Sequence, residues 1–230
     1  SPSLSPDGKY LAFFSEKNIF TLDLFLADAI TGKIIKRLSS TVRNNEIDDF
    51  NFIESAGTWS PDSKKFAFVV FSKGKNKLAI VDVAKARIIK KISINGVPSF
   101  SNPAWSPDGK KIVVAGLVDG INDLYMYYLE SGRVEKLTDD FTSNLHPSWS
   151  SDGNYIVFSQ EKINKGLSRR KYSFNLTLLD LRNKETKELD VFPLSYNLNP
   201  FFSADDRSIY FLSDADGFRN LYKYDLTTEK

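Results

Sequence analysis

A five-residue signature returns along the whole chain, and its spacing limits the possible folds more than any other feature. It stands as Leu4-Ser5-Pro6-Asp7-Gly8, Trp59-Ser60-Pro61-Asp62-Ser63, Trp105-Ser106-Pro107-Asp108-Gly109, Trp149-Ser150-Ser151-Asp152-Gly153 and Phe202-Ser203-Ala204-Asp205-Asp206. The five aspartates lie 55, 46, 44 and 53 residues apart. Self-similarity at a period of roughly 40–50 residues belongs to propeller blades or solenoid repeats. Every unit here reads as strands and turns, which selects the propeller.

Within a unit the innermost strand is short and ends in the Trp-Ser or Phe-Ser pair. Ser-Pro-Asp-Gly then has the chemistry of a turn: Pro presets φ, Asp caps through its carboxylate, and Gly tolerates the left-handed exit. The second strand is a nearly unbroken apolar run at 10–14, 66–71, 112–115, 155–158 and 209–212. Such runs imply burial on both faces, as between two neighbouring blades. The third strand, at 78–82, 124–128, 176–180 and 221–225, is more mixed. In the fourth, at 33–38 and 87–92, apolar pairs alternate with Lys and Arg, and those charges guard an exposed edge.

The expected fold is therefore all-β, a β-propeller built from four-stranded antiparallel blades, with about five blades visible. Residues 1–230 form a single domain, with repeats at about 1–40, 56–98, 102–140, 146–190 and 199–230. The last repeat stops before its fourth strand, and the chain opens at a first strand. A larger propeller of six to eight blades is expected, cut from a longer chain, with no targeting segment in view. Trp59, Trp105 and Trp149 should occupy equivalent buried places. Two stretches break the period: residues 40–55, and 161–171 with Lys162, Lys165, Arg169, Arg170 and Lys171. The basic stretch reads either as a dock for an acidic partner or as a solvated hairpin tip.

The repeats resemble the PD40 (TolB-like, WD40-like) propeller family across essentially the whole chain. The best stretches run from Asn102-Pro103-Ala104-Trp105 to Lys136-Leu137-Thr138-Asp139-Asp140, and through Ser213-Asp214-Ala215-Asp216-Gly217-Phe218-Arg219-Asn220-Leu221-Tyr222. The family includes the periplasmic Tol-system propeller, which binds protein partners. Similar repeats accompany prolyl-oligopeptidase-type peptidases, metallopeptidase domains and oligogalacturonate lyases. The resemblance implies a fold and an extracytoplasmic bacterial setting, without a single activity.

Composition narrows the chemistry. The chain has no Cys, which excludes disulfides, zinc–thiolate sites and cysteine nucleophiles. With 31 basic and 29 acidic residues the net charge is +2, giving no pull toward nucleic acid. No apolar stretch approaches the roughly 20 residues of a membrane span, so no membrane insertion is expected. His146 is the one histidine, and no Gly-x-Ser-x-Gly elbow exists. A triad or a multi-histidine metal site therefore has no material. Asp214-Ala215-Asp216-Gly217 opens like a calcium loop, but Phe218 and the missing glutamate make it a hairpin turn. No metal and no cofactor are expected.

The candidate binding residues come from register. Asn102, His146 and Asn199 each precede a proline at the start of a first strand; Ser1 and Ala56 hold the equivalent places elsewhere. First strands line the axis of a propeller, so these residues should ring one mouth of a channel, with the aspartate turns at the other end. Two readings stand: a polar ring that meets a ligand, ion or partner peptide, or side chains that satisfy backbone groups at the mouth. Under the first, changing Asn102 and Asn199 to Ala weakens binding without matching loss of stability. The functional expectation is a non-catalytic module that binds a protein or peptide partner. The alternative is an accessory or substrate-gating propeller of a larger peptidase whose catalytic domain lies outside this chain.

Overall fold

A computed structural model describes residues 2–18, 21–40, 49–50, 57–164 and 172–230. Blade one holds β1 (Ser3–Leu4), β2 (Tyr10–Asn18), β3 (Thr21–Asp28) and β4 (Ile34–Ser40). Blade two holds β5 (Asp49–Phe50), β6 (Thr58–Trp59), β7 (Lys65–Ser72), β8 (Lys75–Asp82) and β9 (Arg87–Ile92). Blade three holds β10 (Ser99–Trp105), β11 (Lys111–Val118), β12 (Ile121–Tyr128) and β13 (Val134–Lys136). Blade four holds β14 (Asn144–Trp149), β15 (Tyr155–Ile163), β16 (Tyr172–Asp180) and β17 (Thr186–Glu188). Blade five holds β18 (Leu198–Phe202), β19 (Ser208–Ser213) and β20 (Asn220–Asp225).

Each blade is an antiparallel meander whose strands pair in chain order; in blade two, β5 and β6 both pair with β7. The protein is thus an all-β propeller with five blades and no helix among the described residues. Among the described residues no helix is long and apolar enough to cross a membrane.

The apolar second strands explain the packing. In β11, Ile112 and Val114 face blade two, beside Val69 and Ile80, while Val113 and Ala115 face blade four, beside Ile156 and Phe158. A period of two thus fills two interblade cores with one strand. Leu24 and Leu26 meet Phe66 and Phe68 between blades one and two; Val157 and Leu176 meet Ile209 and Phe211 between blades four and five. Burial on both faces holds in the middle blades. In β2 and β19 the same kind of run stays half-buried at Leu11, Phe13, Phe14, Tyr210 and Leu212. Among the described residues blade one packs on blade two, and blade five on blade four, each through one face.

The basic fourth strands do more than guard an edge. Lys36 donates to the carbonyl of Ala84 in blade two (2.9 Å), and Lys90 to that of Leu129 in blade three (3.3 Å). Residues 41–48, 51–56 and 165–171, which hold most of the two period-breaking stretches, lie outside the described residues.

Candidate functional site

Both ends of the innermost strands are built by the repeat, in different ways. At the C-terminal end, each turn serine donates its hydroxyl to the aspartate two residues on, at 2.5–2.6 Å in all five blades. That hydroxyl also accepts the backbone N–H five residues ahead, at 2.9–3.0 Å. The aspartate accepts a second backbone N–H at 2.9–3.2 Å. The serine hydroxyl is the largest influence holding Asp7, Asp62, Asp152 and Asp205 below the usual carboxylate range. At Asp108 burial pushes upward, and the Ser106 hydroxyl with Lys110 and Lys111 outweighs it. These carboxylates are turn-formers, each using Oδ1 to hold its own turn.

The tryptophans before the turns tie blade to blade. Indole N–H groups of Trp59 and Trp149 donate to Ser3 and Ala104 carbonyls in the preceding blade, both at 3.0 Å. Trp105 donates instead to Gly109 in its own turn (3.1 Å). Trp59 and Trp105 are buried, whereas Trp149 is half-buried with the Lys111 ammonium over its ring. The three tryptophans are equivalent in register and differ in burial.

Four residues before each turn serine, Asn102, His146 and Asn199 sit at a β-bulge. Asn102-Pro103, His146-Pro147 and Asn199-Pro200 each stand opposite one residue of the second strand: Val114, Phe158 and Phe211. The physical cause is local. Proline has no N–H to give the ladder, so the ladder skips it. The residue before it turns left-handed, with φ of 48°, 53° and 52°. Asn and His tolerate that region several-fold better than most residues. The sequence placed these residues at the start of the first strand. They lie within it, because β10, β14 and β18 begin three, two and one residues earlier.

All three residues line one axial funnel of about 1220 Å³. Thr58, Ser101, Ser148 and Trp149 share its wall, with Pro103, Pro147 and Pro200 supplying rigid apolar patches. Asn102 is buried and accepts the Ser101 hydroxyl at 3.0 Å; Asn199 is exposed. His146 is half-buried, with an enclosed Nδ1 that has no hydrogen-bond partner among the described residues. Burial pushes its imidazole down to about 4, and the positive charge of Arg219 acts the same way. Ser1 and Ala56 lie outside the described residues.

Sequence reasoning missed Asn122 and Arg219, which also line the funnel. Each stands two residues past a hairpin glycine of left-handed φ, Gly120 and Gly217. The signal was present, since Asp119-Gly120 and Asp216-Gly217 read as equivalent turns, but the residue beyond them was not followed into the axis. Asn76, two past Gly74, is the blade-two counterpart and donates to the Phe100 carbonyl at 2.8 Å. No group of three or more His, Asp or Glu residues that could hold a metal ion occurs among the described residues.

Residues 53–166 match the sequence model of the TolB beta propeller domain, PD40. An uncharacterized protein of Agrobacterium fabrum is 30% identical over 162 residues, covering 70% of this chain and 50% of that one. The crystal structure of TolB from Acinetobacter baumannii superposes with a TM-score of 0.78 at 19% identity, over 100% of this chain and 52% of that one. The beta-propeller domain of the Trilobed protease from Pyrococcus furiosus gives 0.64 at 22% identity, over 98% and 66%. At such identities the structural likeness is one of fold. The chain spans about half the length of the Agrobacterium protein and of the Acinetobacter TolB.

Proposed function

We propose, for a chain that belongs to the PD40, TolB-type β-propeller family, that the axial funnel binds a peptide segment of a protein partner without chemical turnover. The observation that carries this reading is the funnel's lining. Asn102, His146 and Asn199 supply hydrogen-bonding groups at equivalent bulges between rigid proline walls. A concave site with a few oriented polar groups on a stiff scaffold suits recognition of an extended chain. The non-catalytic half of the reading is supported by the one histidine, which among the described residues has no partner at Nδ1 to orient it as a general base. Likeness to TolB supports a protein partner and an extracytoplasmic location for this chain too.

A second reading is an accessory propeller that gates substrate for a peptidase domain elsewhere in a longer protein. The likeness to the propeller of the Pyrococcus protease favours it, as does 29% identity over 148 residues to Dipeptidyl-peptidase 5 of Porphyromonas gingivalis. Both readings use the same funnel for a peptide.

The test is to pan a phage-displayed random 12-residue library on the 230-residue chain and measure the enriched peptides by calorimetry. Binding at 1:1 that is lost when Thr58→Trp or Ser148→Trp fills the funnel supports the reading. Enriched peptides indifferent to both substitutions would overturn it. Cleavage of those peptides by the purified chain would overturn its non-catalytic half.

A further inference from the structure

We infer that the funnel recognises a carboxylate, with Arg219 as its counter-ion and the Nε2–H of His146 as a hydrogen-bond donor beside it. This rests on the reading of the funnel as a peptide site and adds the chemical class of the anchoring group.

Charge is the first observation. Among the described residues that line the funnel, Arg219 is the one charged side chain, and none is acidic. Its guanidinium is exposed and has no ion-pair or hydrogen-bond partner among the described residues. Elsewhere many of the cations are paired or bonded: Arg37 to Asp23, Lys136 to Asp123, Arg182 to Asp180, Lys184 to Glu135. An unpaired guanidinium over a cavity is a planar fork of donors matched to a carboxylate.

The histidine is the second, independent observation. Its Nδ1 is enclosed and meets no acceptor, so a proton placed there would be buried unbonded. We place the proton of the neutral ring on its other nitrogen, Nε2, in a residue that lines the funnel. Arg219 lies close enough for its charge to favour the neutral imidazole. One cation and one N–H donor thus face a shared space with no acceptor of their own. A bound cation would meet Arg219 unfavourably, whereas a carboxylate has an acceptor oxygen for each donor.

The carboxylate can be a peptide's free C-terminus or an Asp or Glu side chain, and the experiment separates these sources. The 230-residue chain, labelled with nitrogen-15, is titrated with three probes: acetyl-trialanine, its C-terminal amide, and that amide with a central aspartate. The imidazole signals of the sole histidine report binding. At least one carboxylate probe should shift them saturably and bind about tenfold or more tightly than the neutral amide. Whichever acid binds more tightly names the source. Arg219→Gln, at an exposed position, should abolish that preference, and Arg219→Lys should restore most of it. Equal binding of the neutral amide and both acids would overturn the carboxylate while leaving the peptide funnel standing. So would a preference that survives Arg219→Gln. No response of His146 to any probe, with no binding by calorimetry, would overturn both.

Discussion

The two ends of the innermost strand repeat in different senses. At the turn, side chains repeat: five serines and five aspartates make the same bonds at nearly the same lengths. At the bulge, four residues upstream, only the backbone repeats. Three residues share a left-handed φ near 50° and a following proline, yet they are Asn, His and Asn, and their surroundings run from buried to exposed. The turn spends its hydrogen-bonding capacity on its own chain. The bulge, at His146 and Asn199, turns its side chains toward the funnel. Identity repeated with the same internal bonds marks scaffold. Conformation repeated under differing side chains marks a place free to meet something else.

The sharpest way to break this contrast is at the tryptophan that opens the turn motif. Trp59 is 5% exposed, packs edge-on to Phe66 and bonds the Ser3 carbonyl of the preceding blade. Trp59→Ala should lower unfolding free energy by about 3–5 kcal/mol. Trp149→Ala should cost clearly less, because that ring is half-buried. Urea denaturation of the two variants checks the order. Equal losses would mean that burial at the turn end does not set its energetics.

Next in size is a pH effect on the bulge side. His146 in the folded chain is pushed from its ordinary 6.5 down to about 4, by burial first and the Arg219 charge second. As pH falls through 6.5 the unfolded chain takes up a proton that the folded chain refuses until near 4. Stability is therefore lost across that window, by roughly 3 kcal/mol at about 1.4 kcal/mol per unit. The turn aspartates also lose stability in acid, but their folded values lie below 3.8, so their loss comes lower. His146→Asn keeps the left-handed preference and removes the titration. Its urea-unfolding free energy should stay nearly flat between pH 6.5 and 4.5 where the unsubstituted chain declines. Parallel slopes would show that His146 is not shielded as the geometry says.

Much of this was legible in the residues. The period and the Ser-Pro-Asp-Gly chemistry yield the blades because each unit solves a local problem with local residues. The two-sided burial of β7, β11 and β15 follows from runs such as Ile112-Val113-Val114-Ala115. The lesser burial of β2 and β19 does not follow, since burial depends on which neighbours a blade has. The alignment of Asn102, His146 and Asn199 on one funnel was visible as register, but the bulge was not. A ladder that skips a residue leaves no apolar period to read, and Asn-Pro alone looks like a strand start. Arg219 escaped because its role comes from blade five's second hairpin and blade four's bulge lining one funnel, at residues 73 apart in sequence.

Smaller effects separate the ends more finely. Ser106 is 1% exposed, gives its hydroxyl to Asp108 and takes the N–H of Lys111. Ser106→Ala should cost about 1 kcal/mol or somewhat more, for the hydrogen bonds lost to Asp108 and Lys111. Ser203, whose bond to Asp205 is exposed, should cost less when made Ala. Thermal unfolding of the pair gives the comparison directly.

Smallest of all should be the loss of the Asn199 side chain, and here the structure changes how the experiment is designed. Asn199 is exposed and has φ of 52°. Alanine lacks the short polar side chain that lets asparagine tolerate the left-handed region, at a cost of up to about 1 kcal/mol. Glycine accepts the same φ without that strain, and away from buried features the change should stay within about 0.5 kcal/mol. The expectation that an alanine pair at 102 and 199 weakens binding without a matching loss of stability is therefore better tested with glycine at 199. Asn199→Ala should destabilise and Asn199→Gly should not. Both should weaken a funnel-bound peptide alike, since both remove the same amide. A peptide that loses affinity with Ala and keeps it with Gly would show that the bulge acts through its backbone. The contrast between a bonded turn and an open bulge would then lose its functional half.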